Sequence, residues 1–227
     1  MNKITSARIV VGFVIAFVLL LAILHILEPE FNLGGHLISE YELGAYGWMM
    51  TVAFWSLGAA SLFLAHSIRD DLRGAAGTIG FWWLLLVAVA YLAAGIFYPD
   101  KSTGLGLPLN PADVDRAAIA PTLNATMHGI AGLIVILSSP IVFTLLRRGL
   151  VKNPKWASSL RNINWATTAA WIGLLLFPLA MILYTVAQQP DGFDFRIKVS
   201  TVNRIMILVY AGWLAVVAQQ KQKLISK

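Results

Sequence analysis

The chain of 227 residues has no cysteine, which excludes disulfides, thiolate nucleophiles, thiolate metal sites and palmitoyl anchors. Charge is scarce too: Asp, Glu, Lys and Arg make up 12% of the residues, and only 11 residues are acidic. Soluble domains carry about 25% charged residues to cover their surface, so this composition rules out an ordinary water-soluble protein. Four histidines are present, and no two are spaced as His-x-x-x-His or His-Glu-x-x-His, which removes the helical zinc signature. No low-complexity tract or internal repeat stands out. What fills the chain is apolar: 58% of the residues are hydrophobic and the mean hydropathy is +0.74.

A hydrocarbon core of about 30 Å, climbed at about 1.5 Å per residue, requires about 20 mostly apolar residues per helix. Six stretches meet this requirement, roughly residues 6–27, 44–66, 76–98, 124–146, 164–188 and 200–219. The fold class expected is all-α: a polytopic membrane protein with six transmembrane helices in one bundle, forming a single domain over residues 1–227. Lys3 and Arg8 ahead of the first apolar run imitate a signal peptide, but the run over 9–27 is too long and no Ala-x-Ala site follows, so it reads as an uncleaved span. Lys and Arg in short loops set orientation. Twelve of them fall on the side of both termini and five on the other, which places both termini in the cytoplasm of a multi-pass cell-membrane protein. The net charge of +6 is then a topological bias and gives no support to nucleic-acid binding.

Small residues recur at helical spacing in Gly44-x-x-Gly47, Gly58-Ala-Ala-Ser61, Gly74-x-x-Gly77-x-x-Gly80 and Gly129-x-x-Gly132, where they let helices approach closely in lipid. Trp48, Trp82, Trp83, Trp165 and Trp213, with Tyr98 and Tyr184, suit interfacial belts or helix contacts. The longest connection, 99–123, contains Asn110-Pro111 followed by Ala-Asp-Val-Asp-Arg, the pattern of a capped short helix at the membrane surface. Asn124 is the expected N-cap of the fourth span.

Polar chemistry gathers at the outer ends of the spans. His25 and Glu28 close the first, His36 and Ser39-Glu40-Tyr41-Glu42 precede the second, Asp100 follows the third, His128 lies near the start of the fourth and Arg204 near the start of the sixth. Ser39 and Glu42 fit a capping box. His36 and Glu40, four apart, would share a helix face and offer half of a metal site if the helix began that early. Arg204 sits about one turn into its span, where burial costs roughly 2.5–3.5 kcal/mol and the helix dipole disfavours a cation. It must snorkel, pair with Glu40, Glu42 or Asp100, or hold a phosphate or carboxylate. His128 either packs through one hydrogen bond or acts chemically.

These residues resemble a known family. Ser39-Glu40 ahead of the second span, Gly95-Ile-Phe-Tyr-Pro-Asp100 leaving the third, His128-Gly129 opening the fourth and Asn203-Arg204 in the sixth are similar to the prokaryotic six-span membrane family labelled domain of unknown function 998, over nearly the whole chain. The family pattern is often Phe-Pro-x-Asp, and Tyr98-Pro-Asp100 departs from that spacing, which bears on any role for Asp100. The resemblance implies six spans and the same outer polar layer, and it implies no activity.

Three function classes remain. A lipid-directed enzyme or remodelling protein would draw acid, base or metal-ligand chemistry from Asp100, His128 and Glu40. It would bind its ligand, a lipid or anionic amphiphile, through Arg204, Asn203, His36 and Glu42. A small-molecule transporter would need polar groups at mid-depth, where only Ser56, Ser138, Ser139, Thr168 and two prolines, Pro140 and Pro178, interrupt the apolar runs. An accessory or structural subunit would use the small-residue seams to bind another membrane protein. The lipid-directed reading leads, with membrane lipids as partners and the metal and cofactor unassigned.

Overall fold

The computed structural model describes residues 2–31, 36–100, 121–186 and 195–226. All regular structure among them is helical. The surface helix expected near residues 110–120 lies outside the described residues.

Six helices are long and apolar enough to cross a membrane. They are α1 (Lys3–Leu27), α2 (Gly47–Ile68), α3 (Gly74–Ala94), α4 (Leu123–Val151), α5 (Leu160–Val186) and α6 (Phe195–Ile225). Asn2 caps α1 by accepting the Ile4 N–H at 3.2 Å. The cap of α4 is Thr122, whose Oγ1 accepts the Ala125 N–H at 3.2 Å, and not Asn124. Asn124 falls inside the first turn because Thr122 is the residue in extended conformation, and that conformation is what a cap requires. Gly74 opens α3 with φ 71°, a left-handed turn that a side chain would strain.

The helices close into a ring in chain order, with α1 returning to α6, and α2 and α6 also touch across it. Burial follows: 67% of the apolar window of α2 and 56% of that of α6 is buried, against 28% for α1. Lipid tails are as apolar as leucine, so the ring is held by close packing and hydrogen bonds rather than by expulsion of apolar surface from water. The α3–α4 seam shows how close. A Cβ on Gly149 would come within 2.6 Å of the Gly77 Cα, and one on Gly80 would meet Leu145 at 3.0 Å. Gly58 abuts the Ala88 carbonyl on α3 in the same way. Gly129 and Gly132 form no seam among the described residues, since a Cβ there would meet none of them within 4 Å. Inside the ring, Trp213 stacks on Phe143 at 4.0 Å, while Trp48, Trp82 and Trp165 face outward.

Polar groups concentrate at both ends. At the end carrying the termini, Lys221 on α6 is paired with Asp71, and the Asn153 amide donates to the Asp71 carbonyl at 3.1 Å. Gln222 donates to the Ala7 carbonyl at 3.0 Å, which ties α6 to α1. The opposite end is organised by a 3-10 turn, Ile38–Leu43, wedged ahead of α2.

Candidate functional site

The short turn Ile38–Leu43 replaces the capping box expected there. It is a separate element, and α2 starts only at Gly47, with Tyr46 as its N-cap and no side-chain capping bond. The Ser39–Glu42 spacing therefore falls within one tight turn, and Glu42 is directed inward: its Oε1 accepts from the Thr51 hydroxyl at 3.4 Å. Two residues of α6 hold the turn from the other side. The Asn203 Oδ1 accepts the Ile38 N–H at 3.2 Å. The Arg204 guanidinium lies 5.8 Å from the Tyr41 ring.

Arg204 is 5% exposed, so it does not snorkel. Its NH1 donates to the His36 carbonyl at 2.6 Å and to the Ser200 hydroxyl at 2.5 Å, its NH2 donates to the Phe31 carbonyl at 2.9 Å, and its Nε donates to His25 Nε2 at 3.0 Å. The carboxylates expected to compensate it point elsewhere. Glu40 meets His36 Nδ1 at 2.5 Å, Glu42 meets Thr51, and both oxygens of Asp100 accept from Thr122. The macrodipole penalty also falls away, because α6 begins at Phe195, about two and a half turns before Arg204. Nine residues of helix separate the cation from the positive helix end.

Partner chemistry fixes the histidine tautomers, because a carbonyl only accepts and a guanidinium only donates. His25 Nδ1 lies 2.7 Å from the Leu21 carbonyl and carries the proton, leaving Nε2 to accept from Arg204. His128 Nδ1 lies 2.7 Å from the Phe97 carbonyl and 3.2 Å from the Ala94 carbonyl, so it too is the protonated nitrogen, and Nε2 is the basic atom. Glu42 Oε2 stands 3.5 Å from the same Nδ1. Burial pushes the Glu42 carboxyl up to about 9, against a smaller opposing effect of the Thr51 hydroxyl, so it is a neutral acid at pH 7. Burial also raises the Tyr41 phenol, partly offset by Arg204, and it stays protonated.

Among the described residues, no group of three or more His, Asp or Glu could hold a metal. His36 and Glu40 do meet, as a hydrogen-bonded pair with Glu40 in the 3-10 turn and His36 just ahead of it, rather than on one face of a spanning helix.

Sequence reasoning put Glu28 in the outer polar layer but gave it no role. It is 1% exposed, its Oε1 accepts the Tyr46 N–H at 2.5 Å, and its carboxyl occupies the space a Cβ on Gly44 would take, 2.2 Å from Oε1. The glycine read as a helix seam is thus a seat for a carboxylate. The signal was present as an acidic residue at the exit of one span and a glycine at the start of the next. Gly44 has φ −86°, so it is the space and not the backbone that requires glycine.

The model of a family described as Protein of unknown function (DUF998) matches residues 10–220. The chain belongs to this family. No curated protein and no solved structure matches it. For this DUF998 protein the match covers all six helices in part or whole and every residue of the polar layer. Within that layer the structure links His25, His36, Glu40, Glu42, His128, Asn203 and Arg204 through the Ile38–Leu43 turn and its flanks. Asp100 stands apart from that network in its bonding. It accepts the Thr122 N–H at 2.9 Å and the Thr122 hydroxyl at 2.7 Å, joining the end of α3 to the cap of α4.

Proposed function

We propose that this DUF998 protein is a lipid-directed membrane protein whose polar layer, on the outer face, receives the head group of a membrane amphiphile. The observation that carries the reading is the Glu42 carboxyl. Its Oε2 is buried and finds no hydrogen-bond partner among the described residues, although it stands beside His128. A buried polar atom left without a partner costs roughly 1–3 kcal/mol, so a group that completes it gains that amount. A neutral carboxyl both donates and accepts, which suits a hydroxyl, amide or ester of a head group.

In this reading His128 Nε2 supplies a base, and Glu42, His36 and Glu40 contact the ligand. Asn203 and Arg204 hold the turn in place, and the Arg204 charge favours an anionic head group in the same layer. Asp100 fixes the neighbouring α3–α4 connection. Both termini face the cytoplasm of the cell membrane, as the distribution of Lys and Arg supports.

Native mass spectrometry in mild detergent tests the reading with the wild type, His128→Ala and Glu42→Leu, each checked for an unchanged helical signal. Retained lipid in the wild type that disappears in both variants is the expected result. Bare protein throughout, or lipid retained equally by all three, overturns it.

An accessory role is favoured by one observation, the open face at Gly129 and Gly132 on α4, where a Cβ would meet nothing within 4 Å among the described residues. Because cysteine is absent, a single Gly132→Cys variant crosslinked in native membranes reads this out directly. A discrete adduct supports a partner helix, and labelling by lipid-soluble maleimide alone counts against one.

A further inference from the structure

We infer that the His25–Arg204 contact is a proton-sensitive clasp that holds the flanks of the α1–α2 connection against α6. The inference goes beyond the lipid-directed reading and does not depend on it.

The guanidinium is a single rigid fork, and its arms reach backbone carbonyls on both flanks of the connection, Phe31 through NH2 and His36 through NH1. Its third side, Nε, donates to His25 Nε2 at 3.0 Å. Since Nε can only donate, the contact exists only while His25 Nε2 holds a lone pair. His25 Nδ1 is already committed to the Leu21 carbonyl at 2.7 Å, so the ring cannot take a proton by switching tautomers. Protonation converts an acceptor into a donor facing a donor, and places an imidazolium against a guanidinium at hydrogen-bonding distance. The fork must then turn or withdraw, and both carbonyl bonds depend on its plane.

Arg204 faces the His25 ring from α6. Glu28 and Glu30, on the adjoining connection, bear on Tyr41 electrostatically. The Tyr41 ring lies 5.3 Å from His25 and 5.8 Å from the Arg204 guanidinium. An imidazolium at His36 would still donate to the Glu40 carboxylate, so of these two histidines only His25 would meet a donor with a donor.

Amide hydrogen–deuterium exchange over residues 28–46, in lipid nanodiscs at about pH 7.5 and about pH 5, the window in which histidines change charge, tests this after correction for intrinsic exchange rates. The wild type is expected to lose protection roughly tenfold at the lower pH, the consequence of one charge-assisted hydrogen bond lost. His25→Gln keeps an acceptor that cannot be protonated, and should remain protected at both values. His36→Gln leaves the clasp intact and should behave as the wild type. Equal protection of the wild type at both pH values overturns the inference. So does an acid-induced loss that persists in His25→Gln, or one abolished by His36→Gln, which would move the switch to the His36–Glu40 pair.

Discussion

Glu42 shows how much a single buried group can decide. Its folded value of about 9 lies far above the ordinary value of 4.5, so the unfolded chain ionises first as pH rises. The stabilising contribution of the neutral form is complete below the ordinary value, declines between the two values, and is gone above about 9. Thermal stability of the wild type should therefore fall from about pH 5 to pH 9 relative to Glu42→Gln, and parallel curves would show that the carboxyl is not held neutral. Arg204 makes a different demand. Lysine there keeps the charge but cannot span the Phe31 and His36 carbonyls with one planar fork, so Arg204→Lys should lose about 2 kcal/mol, read as a lowered thermal midpoint in detergent. The importance of Arg204 was legible in the sequence because a charge inside an apolar run has few ways to exist. Its partners were not. Backbone carbonyls carry no residue code, and the carboxylates that looked like natural partners were already engaged by His36, Thr51 and Thr122.

Helices were the most legible elements, since hydropathy alone located all six to within a few residues at most ends. The largest miss at an N-terminus is α6, expected from residue 200 and beginning at Phe195, because Arg196 and Lys198 end the apolar run before the helix itself ends. The 3-10 turn was invisible for a related reason: a capping box and a tight turn ask for the same residue types, and only packing against Asn203 and Thr51 separates them. Small-residue patterns were legible as close contacts but not as to what was contacted. Gly149→Ala should cost about 1–3 kcal/mol, because its Cβ meets the backbone of Gly77, which has nowhere to move. Gly132→Ala, with open space around it, should be neutral or slightly stabilising through helix propensity. Equal losses for the two would mean that the α3–α4 seam is looser than described. Gly44→Ala acts through another element, by displacing the Glu28 carboxyl from the Tyr46 N–H. Its effect and that of Glu28→Gln should be strongly non-additive in a double-mutant cycle.

The whole bundle is a closed ring with a polar knot at each end, and the two knots serve different ends. The knot near the termini is a mutual satisfaction of charges: Lys221 and Asp71 are largely buried and paired. Lys221→Ala should lower stability by about 2 kcal/mol by stranding Asp71, while joint replacement of both by leucine should restore most of the loss, as measured by thermal unfolding in detergent. The opposite knot contains a buried carboxyl oxygen left unmatched among the described residues, which is why it is the candidate site. Closure of the ring through α1 and α6 also has a consequence for how the protein is made. The ribosome delivers α6 after α1 to α5, and with it Arg204, the residue that hydrocarbon tolerates least. By then His25, Phe31 and His36 have already emerged, so the acceptors for the guanidinium are waiting at the rim of a five-helix cup. Insertion of the sixth span is thereby assisted by the first, and a chain with His25 and its neighbouring carbonyls displaced should fail at the translocon, before its stability as a finished protein is ever tested.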